Sequence, residues 1–275
     1  MVRRAIFATL SSHSIAGEHQ GRRLPQVEEQ LLTGGNSTEV VRVGDTVRRT
    51  AGPWTGSVRR LLTALRSAGI AEVPQHLGLD DQGREMLTYL PGEVPLYPLP
   101  SWLFAPAIIR ESGALLRRMH DASVTLVGQP ALWQLPTHQP VEVICHNDVA
   151  PYNMVFQDQH LRGLIDFDTA SPGPRVWDLA YLAYQLVPLT GSERDTPPET
   201  ALRLTRLDLL MDAYGQYFPP AQVLGVVIER LRELAALTDR RADETGRRDL
   251  LDQAATYQRD ALTVRALSTS LQAGP

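Results

Sequence analysis

The stretch ICHNDVAPYNMVFQDQHLRGLIDFD, residues 144–168, decides which fold and which chemistry this chain can support. It places His146, Asp148, Asn153, Asp166 and Asp168 between two apolar runs, with the spacing His-x-Asp-x4-Asn and thirteen residues from Asn153 to Asp166. Carboxylate and amide oxygens are the ligands that a hard cation such as Mg²⁺ prefers. One carboxylate remains to receive the proton of an acceptor hydroxyl. This set of side chains predicts phosphoryl transfer.

The residues on either side of these polar groups have strand character. Val141–Cys145 is an apolar, β-like run, and Met154–Phe156 with Leu161–Ile165 indicates a short hairpin. We therefore expect residues 146–153 to form a loop and Asp166 to lie at a strand end. Both are positions from which side chains project into a cleft from a rigid base.

The hydrophobic pattern predicts an α+β chain with a small β-rich lobe and a larger, mainly helical lobe. Val40–Val43 and Val47–Thr50 flank Gly44-Asp45 as a hairpin, and two more strands are expected at 76–79 and 84–90. Helices are expected at 55–68, from 108 to near His120, from Pro174 to Val187, and around the apolar stripe of Leu207, Leu210, Met211 and Tyr214. The predicted divisions are a polar leader (1–27), an N-terminal nucleotide-binding lobe (28–90), a proline-rich linker without regular structure (91–106) and a catalytic and substrate lobe (107–275).

Composition bounds the partners and the compartment. The net charge of −4 gives no electrostatic reason to expect a nucleic-acid partner, and no apolar run has the length of a membrane span. Cys145 is the only cysteine, so no intrachain disulfide can form. The apolar stretch Ala5–Leu10 is shorter than a secretion signal requires. We expect a cytoplasmic protein, either a monomer or a homodimer. The chain contains no lysine, so all 27 basic residues are arginine and any fixed cation in the site must be Arg.

The motifs His146-Asn147-Asp148 with Asn153, Ile165-Asp166-Phe167-Asp168 and Trp177-Asp178-Leu179-Ala180 together closely resemble the signature of the aminoglycoside phosphotransferase family. This family of small-molecule kinases has a protein-kinase-like fold and includes choline and homoserine kinases. The resemblance covers roughly residues 28 to 260. It implies transfer of the γ-phosphoryl group of ATP (or GTP) to a hydroxyl of a small molecule, with Mg²⁺.

The resemblance also implies roles for individual residues of the larger lobe. Asp148 would be the catalytic aspartate, and Asn153 and Asp166 would be the Mg²⁺ ligands. Asp178 would be buried at a helix start and brace the catalytic loop, which His146 would also support. Asp168 is open between a second metal contact and a locally hydrogen-bonded strand end. His120 and the aromatic stripe Trp177, Tyr181 and Tyr184 are expected to serve packing.

In the small lobe, the resemblance implies three nucleotide contacts. Residues 33–38, in particular Gly34, Gly35, Asn36 and Ser37, could approach phosphate through backbone N–H groups, although such loops are often simple turns. Arg49, favoured over Arg48 by its register, would bind the α- and β-phosphates in place of the usual lysine. Adenine would hydrogen-bond to backbone near Thr88, Tyr89 and Leu90.

One departure concerns the partner of Arg49. The predicted helix from Thr55 to Ala68 contains no Asp or Glu, so either another acid pairs with the arginine or none does. This leaves a catalytically impaired nucleotide-binding protein as an alternative, and a metal-dependent hydrolase as a weaker one. The acceptor is open among aminoglycosides, amino alcohols, sugars and others. Acids in the C-terminal helices alternate with arginines, including Arg230, and are interpreted as a solvated surface.

Overall fold

The computed structural model describes residues 29–32, 40–190 and 199–272. Its N-terminal part is a five-stranded antiparallel sheet in the order β1-β2-β3-β5-β4. The strands are β1 (Glu29–Leu32), β2 (Val40–Val43), β3 (Thr46–Thr50), β4 (His76–Leu79) and β5 (Arg84–Thr88). The predicted hairpin is confirmed, and Gly44 takes the positive φ of 61° that its tight turn requires. Because β5 lies between β3 and β4, side chains of β3 and β5 are cross-strand neighbours.

Helix α1 (Thr55–Ser67) connects β3 to β4, where a helix was predicted. Val58, Leu61, Leu62 and Leu65 are buried, as the i, i+3, i+4, i+7 spacing requires. The chain then turns at Gly69, whose φ is 81°. This left-handed conformation ends the helix because it costs glycine little.

The proline-rich segment between the two parts contains more structure than predicted. A 3-10 turn spans Ser101–Phe104, and Glu93 exchanges two backbone hydrogen bonds with Phe156, of 2.7 and 2.8 Å. A Cβ on Gly92, whose φ is 146°, would lie 2.5 Å from the carbonyl oxygen of Phe156. Glycine is therefore required where the connector is pinned to the helical part, since a larger residue would collide with backbone.

The C-terminal part contains five helices and two small sheets within the described residues. The helices are α2 (Pro106–Ser123), α3 (Arg175–Leu186), α4 (Thr200–Tyr214), α5 (Pro220–Thr245) and α6 (Arg248–Gln272). The strands are β6 (Val143–Cys145), β7 (Met154–Gln157), β8 (His160–Leu164) and β9 (Ser171–Gly173), paired β6 with β9 and β7 with β8. The predicted hairpin after the loop is thus confirmed, whereas α2 continues three residues beyond His120.

One continuous apolar core spans both parts, from Leu61 and Leu62 in α1 through α2 and α3 to Leu231 in α5. Helix α3 is buried on nearly all sides, which explains its almost uninterrupted apolar sequence. This core holds the loop after β6 and the end of β8 against each other. The α+β class, with a smaller sheet part and a larger helical part, is confirmed. No helix in the described ranges is long and apolar enough to cross a membrane.

Candidate active site

The loop that follows β6 is fixed by the ring of His146. Its Nε2 lies 3.1 Å from the carbonyl oxygen of Ile165, and its Nδ1 lies 3.2 Å from the backbone nitrogen of Asp148. Since a carbonyl only accepts and a backbone N–H only donates, the Nε2–H tautomer satisfies both contacts. His146 thus ties the loop to the end of β8 and supports Asp148 through its backbone, as the resemblance implies.

Asp178 binds the backbone of the same loop. It is completely buried at the start of α3, and its two carboxylate oxygens accept the backbone N–H groups of His146 (2.6 Å) and Asn147 (2.8 Å). His120 Nε2 lies 3.1 Å from one of these oxygens, and Nδ1 lies 2.7 Å from the Tyr214 hydroxyl. Burial alone would raise the pKa of Asp178, but the His120 hydrogen bond and nearby positive charge lower it overall. Asp178 and His120 therefore have the structural roles expected of them.

Asp148 is enclosed by two hydrogen-bond donors. Its Oδ1 accepts the Tyr152 hydroxyl at 2.6 Å, and its Oδ2 accepts the Asn153 side-chain amide at 2.9 Å. Burial raises the pKa of Asp148, while these two hydrogen bonds oppose the increase. A carboxylate with a raised pKa is a stronger base than an exposed one, which suits proton abstraction from a hydroxyl.

Asn153 and Asp166 lie next to each other, because the backbone N–H of Ile165 donates to the carbonyl oxygen of Asn153 at 2.9 Å. The Asn153 side-chain nitrogen donates to both the backbone carbonyl oxygen and Oδ2 of Asp148. The Oδ1 atom of Asn153 is therefore the one left for a cation. Asp166 has a φ of 64°, and its side chain is 49% exposed. With Asp168 they supply the oxygen donors that Mg²⁺ prefers.

Arg49 connects the small lobe to these acids. Its guanidinium contacts Glu85 (Nε to Oε2, 2.6 Å), Asp168 (Nη2 to Oδ1, 2.6 Å) and Asp166 (Nη1 to Oδ1, 3.3 Å). Burial lowers the pKa of Arg49, but the three carboxylates outweigh this and raise it overall. Two roles were open for Asp168, a second metal contact and a locally hydrogen-bonded strand end. The contact that the structure shows is an ion pair with Arg49.

Glu85 is the acid that sequence reasoning did not identify. It lies in β5 directly across from Arg49 in β3, and it is completely buried. Its other oxygen lies 3.5 Å from His76 Nε2 of β4. The partner of Arg49 thus comes from the neighbouring strand and not from α1. An acid inside a predicted strand was the available signal, but only the register pairs it with Arg49.

Arg48 points away from this cluster, as strand alternation requires. Its guanidinium contacts Thr46 and lies 3.7 Å from Asp80. The structure therefore brings Arg49, and not Arg48, to the acids that follow β8.

The predicted adenine-binding segment has two of its three N–H groups engaged. Thr88 N–H donates to the carbonyl oxygen of Gln75 and Tyr89 N–H to that of Asp45, both at 2.9 Å. For Leu90 N–H, no acceptor is found among the described residues. The predicted phosphate loop, Gly34, Gly35, Asn36 and Ser37, lies outside the described residues.

Two aromatic residues of α3 pack beside the loop. Trp177 and Tyr181 are buried and Tyr184 is half-buried, in agreement with a packing role. The Tyr181 hydroxyl lies 3.1 Å from that of Tyr152, which extends the contacts of Asp148 into the core. Tyr152 was not identified from the sequence, because nothing in its position next to Asn153 indicates which way its ring turns.

The interpretation of Arg230 as solvated surface is wrong. Its side chain in α5 is 4% exposed and contacts the catalytic loop. The signal was present: Val223, Val227 and Arg230 follow the i, i+4, i+7 spacing of an apolar helix face.

A group of His120, Cys145 and Asp178 is the one set of three metal-ligand types found close together in the described residues. Asp178 already accepts the loop amides and His120, and burial raises the pKa of the Cys145 thiol well above its ordinary value. These contacts make the group a structural support for the loop.

Comparison with known proteins agrees with this geometry. Residues 129–217, which include the loop and α3, match the model of the phosphotransferase enzyme family. The trifolitoxin immunity protein of Rhizobium leguminosarum bv. trifolii is 33% identical over 198 residues, which are 68% of this chain and 74% of that protein. The chain belongs to the phosphotransferase enzyme family. The suspected resemblance is thereby confirmed.

Solved structures show the fold of this phosphotransferase. Amicoumacin kinase, in complex with AMP-PNP, Ca²⁺ and Ami, superposes with a TM-score of 0.63 at 13% identity, covering 86% of this chain and 88% of that one. A choline/ethanolamine kinase family protein from Mesorhizobium loti gives a TM-score of 0.54 at 16% identity, covering 88% and 93%. At such identities the likeness establishes the protein-kinase-like fold alone.

Proposed function

We propose that this phosphotransferase moves the γ-phosphoryl group of ATP (or GTP) to a hydroxyl group of a small molecule. The observation that carries the proposal is the position of Asp148, a half-buried carboxylate on a braced loop beside the oxygen donors Asn153 and Asp166. Arg49 contacts Asp166 and Asp168 from the other lobe. A base, a metal-ligand set and a cation for phosphate are the parts that phosphoryl transfer uses.

In the proposed reaction, Asp148 orients the acceptor hydroxyl and accepts its proton. The hydroxyl oxygen forms the new bond to the γ-phosphorus while the bond to the β-γ bridging oxygen breaks and the nucleoside diphosphate leaves. Tyr152 and Asn153 keep the two oxygens of Asp148 in place while the acceptor approaches. Catalysis here consists mainly of positioning and charge stabilisation.

Asn153, through its free Oδ1, and Asp166 would hold Mg²⁺, and Asp168 is the third oxygen donor nearby. When bound, Mg²⁺ would offset the negative charge of the phosphate groups. The fit rests on the donor set, since carboxylate and amide oxygens suit this cation. The solved structure of amicoumacin kinase with AMP-PNP and Ca²⁺ supports the use of a nucleotide with a divalent cation.

Arg49 is proposed to bind the α- and β-phosphates. Its planar guanidinium carries several N–H donors in a fixed geometry that matches phosphate oxygens. Glu85 anchors the Nε side, so Nη1 and Nη2 can turn from Asp166 and Asp168 towards the nucleotide. Gly34, Gly35, Asn36 and Ser37 remain the proposed phosphate loop, and Thr88, Tyr89 and Leu90 the proposed adenine contact, to which Leu90 would contribute its N–H.

The relatives differ in their acceptors. One named relative confers immunity to the toxin trifolitoxin, and others phosphorylate amicoumacin or belong to the choline/ethanolamine kinases. We therefore propose to test a toxin that carries a hydroxyl group first, then aminoglycosides, amino alcohols and sugars.

The deciding experiment is Asp148→Asn, assayed with Mg·ATP and Mg·GTP over that acceptor panel. We expect the rate of phosphorylation to fall by about a thousandfold, because a positioned base contributes roughly 10²–10⁴ in rate. Asp158→Asn, in the exposed β7–β8 turn, is the matched control and should keep full activity. Turnover at the wild-type rate in Asp148→Asn would contradict the proposed role of Asp148.

The alternative of an impaired nucleotide-binding protein was motivated by the missing lysine and the missing helix acid. Glu85 supplies a partner for Arg49, so the missing helix acid no longer favours this alternative. A thermal-shift titration with Mg·ATP separates the two readings. Binding without turnover for any acceptor would favour the impaired protein.

A further inference from the structure

Arg230 is a buried cation that reaches the catalytic loop from α5. Its Nη2 donates to the carbonyl oxygen of Asn147 at 2.7 Å, and its Nη1 lies 3.4 Å from Asn147 Oδ1. The guanidinium carbon lies 4.8 Å from the ring centroid of Trp177 and 4.5 Å from that of Tyr181. Two aromatic faces therefore hold the guanidinium beside the residue that precedes Asp148.

The bond that Arg230 makes fixes one particular peptide unit. The carbonyl of Asn147 and the N–H of Asp148 belong to the same planar group. Arg230 binds the carbonyl, and His146 Nδ1 accepts the N–H at 3.2 Å. Both polar atoms of the peptide that carries Asp148 are thus bound to side chains, and rotation of this plane would break both bonds.

Asn147 itself is held in an uncommon backbone conformation, with a φ of 66°. Its side-chain amide nitrogen donates to the Thr169 carbonyl and to Ser171 Oγ, each at 2.9 Å. Such a φ persists in a residue other than glycine when its surroundings fix it. Arg230 adds two contacts to this residue from α5.

A buried arginine is costly unless its charge is compensated. Asp178, which braces the two preceding amides, carries the opposite charge nearby. Replacing a complete buried ion pair by apolar residues is often neutral or stabilising, so filling the core does not by itself require a charged residue at position 230. The choice of arginine here is therefore explained by the carbonyl it binds, and less by packing.

We propose that Arg230 is a positioning residue that sets the orientation of Asp148 by fixing the Asn147–Asp148 peptide plane. The inference rests on the proposed function for its catalytic consequence, but not for the structural contact. It couples α5, which packs against α3 and α6, to the base.

The contact is tested by amide hydrogen exchange on the full chain. Arg230→Met removes the donors and the charge and keeps the volume, whereas Arg230→Lys keeps a donor without the planar stacking. We expect peptides covering residues 144–153 to exchange about tenfold faster in Arg230→Met, since a hydrogen bond from a charged group is lost, while peptides from α1 and β5 stay unchanged. Arg232→Met, at an exposed position of the same helix, should exchange like the wild type.

The catalytic consequence is tested with Mg·ATP and water as acceptor, by phosphate release. We expect Arg230→Met to lower kcat by about 100-fold with an unchanged KM for Mg·ATP, because a base misplaced by about 1 Å costs on the order of 10² in rate. Arg230→Lys should recover part of kcat. A mere packing role would lower the melting temperature without separating kcat from KM.

The outcomes decide the proposal separately from the function. Wild-type exchange in residues 144–153 of Arg230→Met, or a wild-type kcat, overturns the positioning role. If Arg230→Met does not fold, the same two readouts on Arg230→Lys decide. If wild type and Asp148→Asn phosphorylate the acceptor panel at the same rate, the proposed function is wrong, and the exchange result still decides whether Arg230 fixes the loop.

Discussion

The loop of residues 146–153 and the cluster of charged residues around Arg49 lie next to each other, yet they are held in place in different ways. The loop is braced by buried groups that contact its backbone, namely Asp178, His146 and Arg230. The cluster is braced by charge, with Arg49 paired to Glu85, Asp166 and Asp168. The loop is thus held by hydrogen bonds to its backbone from buried side chains. The cluster is held by ion pairs whose charged groups a nucleotide and a metal ion would also bind.

Because of this difference, we expect the loop and the cluster to respond differently to substrates. Nothing in the loop has to break before an acceptor hydroxyl reaches Asp148, since a carboxylate oxygen can accept more than one hydrogen bond. In the proposed binding of nucleotide, by contrast, Arg49 would exchange Asp166 and Asp168 for phosphate oxygens. Because ion pairs compete with one another, the affinity for nucleotide depends on how tightly Arg49 is paired beforehand.

The largest effect is expected from breaking the support of the loop with Asp178→Asn. One side-chain oxygen would become an NH₂ group. It would face either the Asn147 N–H or both the His146 N–H and the His120 ring, so a buried donor would lose its acceptor. We expect a loss of about 3 kcal/mol in the free energy of unfolding, as for a broken buried pair, together with loss of turnover. Urea unfolding at neutral pH measures it, with Asp212→Asn on the exposed face of α4 as the control.

The pH dependence of this loss has a definite sign. The pKa of Asp178 is lowered in the folded protein, so its contribution is fully present above the ordinary value of 3.8 and disappears as the pH falls through the lowered value. The difference in stability between wild type and Asp178→Asn should therefore narrow below pH 3.8. A difference that stays constant down to the acid unfolding of the wild type would contradict an ionised Asp178.

The two halves also differ in how far sequence predicts them. The loop is encoded by a contiguous motif, so Asp148, Asn153 and Asp178 could be named from spacing and resemblance. Glu85 could not, because its pairing with Arg49 depends on the order and register of β3 and β5, which connect residues 36 positions apart. Strand existence follows from local alternation, whereas strand neighbours follow from the packed sheet.

Arg230 illustrates a second limit. Charged residues alternating along a helix usually indicate a solvated face, and most of α5 follows that rule. Whether one arginine turns inward depends on a cavity formed by Trp177, Tyr181 and the loop, which lie more than 45 residues away in the chain. The 3-10 turn in the proline-rich connector is a similar case. The prolines predict that no long helix forms there, but they do not predict where a short turn forms.

The next largest effect separates the two arginines of β3. Arg49→Gln removes the cation that faces the acids, and we expect the Kd for Mg·ATP to rise by about 30-fold, in line with the loss of a charge-assisted hydrogen bond. Arg48→Gln, on the opposite face beside Asp80, should change the Kd by less than about twofold. Isothermal titration calorimetry measures both. Equal effects of the two variants would mean that the phosphate contact does not follow the face of the strand.

The smallest effect is expected for Glu85→Gln, which keeps a hydrogen-bond acceptor for Arg49 but removes the negative charge. Glu85→Gln keeps an oxygen that accepts Arg49 Nε–H, so only the surplus of a charged over a neutral hydrogen bond is lost. We expect a rise in Kd for Mg·ATP of about fivefold, because charge-assisted bonds are roughly twice as strong as neutral ones.

Glu85→Ala removes the acceptor altogether and lets Arg49 pair more closely with Asp166 and Asp168. Its Kd should approach that of Arg49→Gln, and Asp81→Asn at an exposed turn serves as the control. If Glu85→Ala binds Mg·ATP as the wild type does, the strand acid is not the anchor of Arg49. Arg49 would then be held by Asp166 and Asp168 alone, and its support would differ even more from the buried support of the loop.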